Sequence, residues 1–197
     1  YEPGSIMKPL TFSAVLESGL GTPSTVREVP GWVHVHDSDF RDSFPHEEEQ
    51  WSIGDILHRS SNVGTILWAV DLGEERLYER LLEFGLGRTT ELDFPGEAAG
   101  ILPVVGKWSG TSLPTIAIGQ GVAVTPLQMV TAFSTIANEG RRPAPSLVLG
   151  TRDTMGVFQP SERAPDQQVL EPETSRQLLA MLERVVESGT GTRGQVP

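Results

Sequence analysis

Between residues 5 and 18 apolar side chains recur at Ile6, Leu10, Ala14 and Val15, a spacing that lines one face of a helix, and Gly19 follows as a C-terminal stop. That reading puts Ser5 at a helix start. Over 21–50 the helical period disappears. Gly31-Trp32-Val33-His34-Val35-His36-Asp37 alternates as a strand does, and Pro, Gly and the acidic run Glu47, Glu48 and Glu49 surround it. An irregular hairpin with a solvated, charged loop is predicted there. Ser52 with Asp55 three residues on makes a capping-box start for a short helix to about Arg59. The stretch Val63–Leu72 is apolar enough to be buried, which leaves Ser60, Ser61 and Asn62 at the joint between two helices.

Glu74–Phe84 is amphipathic and stopped by Gly85, and 87–121 reads as loop, punctuated by Pro95-Gly96, Leu102-Pro103 and Gly119-Gln120-Gly121. Thr125-Pro126 supplies an N-cap and a first helical residue for a helix to Asn138. Pro172–Ser188 is a last amphipathic helix, with Leu178, Leu179, Leu182, Val185 and Val186 as its expected core face and Gly189 as its stop. Strand signal is thin throughout. No repeat or Ser/Gly linker divides the chain, so one domain is predicted.

Composition narrows the classes. The length of 197 residues suits one ordinary domain, and a formal net charge of −11 repels a phosphate backbone, which argues against nucleic acid as a partner. Mean hydropathy is −0.17, and no apolar run approaches the roughly 18 residues a bilayer span needs. Cysteine is absent, which excludes disulfides, thiolate metal sites and a cysteine nucleophile. Gly 21 and Pro 15 predict long ordered loops. The sequence opens at Tyr1 and closes at Pro197 with no leader or terminal signal, and it reads as a piece of something longer.

Only two lysines occur, Lys8 and Lys107, and Lys8 lies three residues after Ser5. One helical turn brings an amine to a hydroxyl, a helix N-terminus favours developing negative charge, and a neutral amine accepts the hydroxyl proton. Ser5 and Lys8 are therefore a candidate Ser-Lys dyad. A second element, Ser60-Ser61-Asn62, is a Ser-x-Asn downstream of the first, in the order found in serine penicillin-recognising enzymes. Other candidates are weaker. His34 and His36 beside Asp37 and Asp39 fall short of the convergent ligands zinc needs. Lys107 sits in Val105-Gly106-Lys107-Trp108, without the spacing of a phosphate loop. Trp51, Trp68 and Trp108 are candidates for a cleft, although Trp68, inside a helix, fits the core better.

The flanks make the motifs specific. Tyr1-Glu2-Pro3-Gly4-Ser5 running into Lys8-Pro9 resembles the nucleophile stretch of the class B penicillin-binding proteins, the peptidoglycan transpeptidases of division and elongation. Ser60-Ser61-Asn62-Val63-Gly64 is similar to their second motif. Gly119-Gln120-Gly121 with Val124-Thr125-Pro126-Leu127-Gln128 is similar to a later signature, and so is Leu92-Asp93-Phe94-Pro95-Gly96-Glu97 to another stretch. The resemblance covers nearly the whole chain, and Val33–Asp37 looks most like actinobacterial members.

This resemblance implies an α+β, serine β-lactamase-like transpeptidase fold. The chain would hold mainly its helical lobe, with most of the antiparallel sheet and the third motif, Lys-Thr/Ser-Gly, outside residues 1–197. Ser188-Gly189-Thr190-Gly191-Thr192 lacks a lysine and is expected to be a turn. By the same resemblance Ser5 would be the nucleophile, Lys8 its base, Ser60 the proton relay and Asn62 a substrate-binding residue. No cofactor or metal is implied. The implied partners are the D-Ala-D-Ala stem peptide, β-lactams, a membrane glycosyltransferase and division or elongation proteins. The implied location is the extracytoplasmic face of the bacterial membrane, with an anchoring N-terminal helix outside this chain. The alternatives are a serine β-lactamase or D,D-carboxypeptidase, and a non-catalytic β-lactam sensor or scaffold. Against a β-lactamase stands the absence of both Glu-x-x-Leu-Asn and Tyr-x-Asn.

Overall fold

The computed structural model describes residues 1–90, 92, 94–162 and 164–195. Asp93 of the Leu92–Glu97 stretch lies outside the described residues, as do Val196 and Pro197. A 3-10 turn, Gly4–Met7, leads into α1 (Lys8–Glu17), in which every residue from Lys8 to Val15 is buried. A helix buried on all sides needs an apolar sequence all round, and Leu10, Phe12, Ala14 and Val15 supply it. Each of the larger of these side chains contributes about 1.5–3 kcal/mol by leaving water.

Strands β1 (Val26–Val29), β2 (Trp32–Val35), β3 (Ser38–Arg41) and β4 (Glu49–Ser52) follow, pairing β1 with β4 and β2 with β3, both antiparallel. The alternation seen in Trp32–Val35 is thus one arm of a hairpin, with Val33 opposite Phe40 and His34 opposite Asp39. The acidic run is more than decoration: Glu49 opens β4 and accepts the Trp51 indole N–H at 3.0 Å. Trp51 is 3% exposed and Trp68 is 6% exposed, so both belong to the core and neither lines a cleft.

The capping box of α2 (Ile53–Arg59) forms as its sequence predicts: Ser52 Oγ accepts from Asp55 N at 3.1 Å and Ser52 N donates to Asp55 at 3.2 Å. Then come α3 (Asn62–Leu72), buried along most of its length, and the amphipathic α4 (Glu74–Glu83), whose Leu77 and Leu81 face inward. The loop-rich stretch holds a short helix that its period did not reveal, α5 (Ser112–Ala117), packed on α3. Thr125 and Gln128 close a second capping box at the start of α6 (Pro126–Ala137).

Beyond α6 are β5 (Arg141–Arg142), β6 (Gly150–Arg152), β7 (Phe158–Pro160) and β8 (Gln167–Gln168), pairing β5 with β8 and β6 with β7. The last helix, α7 (Pro172–Ser188), packs on α1, α2 and α6. Its buried face is Thr174, Ser175, Leu178 and Met181, rotated from the expected one: Leu182 and Val185 only flank the core and Leu179 is 40% exposed. Small polar Thr174 and Ser175 occupy the inner face because the Ser175 hydroxyl donates to the Ile136 carbonyl of α6. After Ser188 the chain makes the expected turn, capped at Gly189. The result is a helical core around α1 with two-stranded sheets beside it, and no described helix is long and apolar enough to cross a membrane.

Candidate active site

Ser5 is exposed in the 3-10 turn and Lys8, the first residue of α1, is fully buried. The backbone N–H of Lys8 donates to the Ser5 carbonyl, which ties the two by one tight turn. Burial disfavours the ammonium form and lowers the Lys8 pKa to about 8, against a smaller opposing effect of the Asp42 carboxylate. The amine donates to Ser60 Oγ at 3.0 Å and also to the Ser60 carbonyl. Its bonds therefore go to Ser60, and the expected bond to the Ser5 hydroxyl is not among them.

Ser60 owes its place to the way α2 ends. Ser60 N donates to Leu57 O and Ser61 N to Ile56 O, the pair of bonds that closes a helix through one left-handed residue. That residue is usually glycine. Here it is Ser60, at φ 58° and ψ 38°. A side chain in this conformation costs on the order of 1 kcal/mol, and what it brings is a hydroxyl facing Lys8.

The next residue, Ser61, caps α3, accepting from Gly64 N at 2.9 Å. Asn62 begins the helix, and its Nδ2 donates to the Arg41 carbonyl at 3.0 Å, which leaves its Oδ1 as an acceptor for another amide. The structure thus brings Lys8 and Ser60 into contact, holds Ser5 one turn from Lys8, and keeps Asn62 two residues beyond Ser60.

Sequence reasoning missed Asp42. Its carboxylate, 0% exposed, accepts from Ser61 Oγ at 2.7 Å, from Val63 N at 3.0 Å and from Asn62 N. His46, 4% exposed, adds a fourth bond through Nε2 at 3.1 Å. No local spacing announces this, because the α3 partners lie about twenty residues away along the chain.

The Gly119-Gln120-Gly121 element braces the turn that carries Ser5. Gly4 N donates to Gly119 O at 2.9 Å, and Gly121 N donates to Glu2 Oε1 at 2.9 Å. A Cβ on Gly119, which has φ 81°, would stand 2.1 Å from the Gly4 carbonyl oxygen, so only glycine permits this approach. Gln128 is buried and donates to the carbonyls of Arg88 and Ala99, tying the signature helix α6 to the long loop.

The weaker candidates do not join this centre. His34 bonds Asp39 at 2.7 Å in the exposed hairpin, a hydrogen bond that raises its pKa, and the His36 ring packs on Gly110. Among the described residues no group of three or more His, Cys, Asp or Glu could hold a metal. Trp108 donates to the Pro103 carbonyl and meets Tyr78 edge-on.

The family described as the penicillin binding protein transpeptidase domain matches residues 1–197. The chain belongs to that family. Relatives of this transpeptidase domain include penicillin-binding protein PbpB of Mycolicibacterium smegmatis, 38% identical over 203 residues, covering 100% of this chain and 31% of the relative. The peptidoglycan D,D-transpeptidase FtsI of Escherichia coli is 31% identical over 141 residues, 71% of this chain and 23% of that protein. These place the domain among class B members, and the mycobacterial relatives accord with the actinobacterial likeness of Val33–Asp37.

A crystal structure of penicillin binding protein 3 from Mycobacterium tuberculosis complexed with aztreonam superposes with a TM-score of 0.94 at 35% identity, over 100% of this chain and 46% of that one. The α+β transpeptidase fold expected from the motifs is therefore the fold observed. The transpeptidase domain spans about a third of the curated relatives' length.

Proposed function

We propose that the protein carrying this domain is a peptidoglycan D,D-transpeptidase that works through a Ser5 acyl-enzyme and is inhibited by β-lactams. The observation that carries this is a buried amine, Lys8, with a pKa of about 8, one turn from an exposed serine and bonded to Ser60. An amine that gives up its proton near neutrality is a general base of useful strength. Neutral Lys8 takes the Ser5 hydroxyl proton as Ser5 Oγ attacks the penultimate D-alanine carbonyl. The Ser5 backbone N–H is one donor to the resulting oxyanion, and the second comes from the third motif, outside this chain.

Ser60, bonded to Lys8, carries the proton on to the amine of the departing terminal D-alanine. Asn62, its Nδ2 held by Arg41, offers Oδ1 to a substrate amide N–H and so orients the peptide. An amine of a neighbouring stem peptide then attacks the ester and releases Ser5, completing the cross-link. This chemistry takes place outside the cytoplasmic membrane, where peptidoglycan lies, and its partners are the membrane glycosyltransferase and division or elongation proteins.

The reading is tested with the full-length protein and a fluorescent penicillin, followed by peptide mapping of the adduct. A stable adduct on Ser5 that vanishes in Ser5→Ala supports it. Labelling of Ser5→Ala contradicts the nucleophile. Rapid hydrolysis of the adduct identifies a β-lactamase instead, and labelling without cross-linking of lipid-linked peptidoglycan identifies a sensor.

A further inference from the structure

The proposed mechanism leaves one buried anion without a task. Asp42 follows β3, and its side chain is fully buried. A carboxylate in that position is costly unless hydrogen bonds replace its water, and four donors do so: Ser61 Oγ, Asn62 N, Val63 N and His46 Nε2. Two of these are first-turn N–H groups of α3, so the helix dipole adds to the attraction. The adjacent Arg41 carbonyl holds the Asn62 side chain, so residues 41 and 42 grip Asn62 by both its backbone and its amide.

His46 fixes the carboxylate from behind. Its Nδ1 lies 2.7 Å from the Glu47 carbonyl, and its ring centroid is 4.5 Å from that of buried Trp51. The ring is thus held at both nitrogens, by Asp42 on one side and the Glu47 carbonyl on the other.

We propose that Asp42, held by His46, is the positioning residue of the Ser60–Asn62 joint: it fixes Ser60 against Lys8, sets the aim of the Asn62 amide, and places a negative charge behind the general base. This rests on the reading of Ser5, Lys8 and Ser60 as a transpeptidase centre. The Asp42 carboxylate opposes the effect of burial on Lys8, which agrees with the third part. On the elements packed around the joint, the other ionisable groups are Asp39 and Arg41 of β3, His46, Asp55, His58 and Arg59 of α2 and Asp71 of α3, of which Asp39 pairs with His34, Asp55 with Arg184 and Asp71 with Arg27. Glu17, at the far end of α1, is paired with Arg80 of α4, and α5 carries none.

The test uses the full-length protein with Asp42→Asn and Asp42→Ala, each checked for folding by circular dichroism. The amide introduced by Asp42→Asn keeps an acceptor for the two α3 N–H groups and turns its N–H groups toward His46, so the joint stays anchored while the carboxylate charge is lost. Two quantities are read across pH: the penicillin acylation rate at Ser5, and the 13C shift of Lys8 Cε, assigned by its disappearance in Lys8→Arg.

For Asp42→Asn the expected result is continued acylation, with both the rise in rate and the Lys8 titration moved to lower pH. For folded Asp42→Ala the expected result is a loss of about 100-fold, the scale of an ångström-level misplacement. Folded Asp42→Ala acylating within about threefold of wild type, or Asp42→Asn leaving the Lys8 titration in place, overturns the proposal. If Asp42→Ala does not fold, Asp42→Asn alone decides. Failure of wild-type Ser5 to acylate contradicts the functional reading instead, and the Lys8 titration still decides the role of Asp42.

Discussion

At Ser60 the local rule and the site pull in opposite directions. A left-handed residue closing α2 is best supplied by glycine, yet the chain places there the hydroxyl that Lys8 bonds. Ser60→Gly is expected to stabilise the domain by about 0.5–1 kcal/mol in urea unfolding while slowing acylation about 10- to 1000-fold. Equal acylation would show that the hydroxyl is incidental. Lys8 carries a related cost. Its pKa is about 8 in the fold against 10.5 when free, so the unfolded chain holds the proton more tightly.

Stability from Lys8 is therefore lowest below pH 8 and rises as pH increases from about 8 to 10.5. Relative to Lys8→Met, in which this titration is gone, wild-type unfolding free energy should rise by on the order of 3 kcal/mol across that window. A pH-independent difference between the two would mean that the amine is not buried in solution.

Among the elements, the decisive contact is between two loops. Gly119→Ala would push a methyl group into the Gly4 carbonyl, a backbone atom that cannot swing aside as a side chain does. The expected outcome is a displaced Ser5 turn and acylation lowered about 100-fold, with the helices intact by circular dichroism. What the sequence revealed at this scale was what is local. The box Ser52/Asp55 spans three residues, the cap Thr125 stands next to Pro126, and the stop at Gly19 or Gly85 needs no partner elsewhere.

Features set by distant partners were not legible. Asp42 is marked by nothing in Arg41-Asp42-Ser43, since its meaning lies in Ser61–Val63. Strands β5 and β8 are two residues each and exist only because 141–168 folds back on itself. The turn of α7 escaped because its apolar stripe is wider than the face it buries: Ser175 is drawn inward by the Ile136 carbonyl and Leu179 is left outside.

For the whole molecule, α7 leaves an apolar groove along Leu179, Ala180, Leu182 and Val186. Residues 1–197 expressed alone should therefore self-associate. On the proposal that the second oxyanion donor comes from the third motif outside residues 1–197, they should also acylate about 10²- to 10³-fold more slowly than the full-length protein. Sedimentation and penicillin labelling of both forms check this, and a monomeric, rapidly labelled 197-residue piece would sink it.

Every step proposed for the site depends on neutral Lys8 activating Ser5, and the pH profile of acylation probes that step without intermediaries. For the full-length protein, the second-order rate of penicillin acylation at Ser5, measured from about pH 6 to 10, should rise with pH to a plateau with a midpoint at about 8, where Lys8 gives up its proton. In Lys8→Arg, which keeps the charge but cannot lose it, the rate should fall by at least about 100-fold and the rise should vanish. A wild-type rate flat across that range, or an arginine variant that keeps the profile, would remove Lys8 as the base.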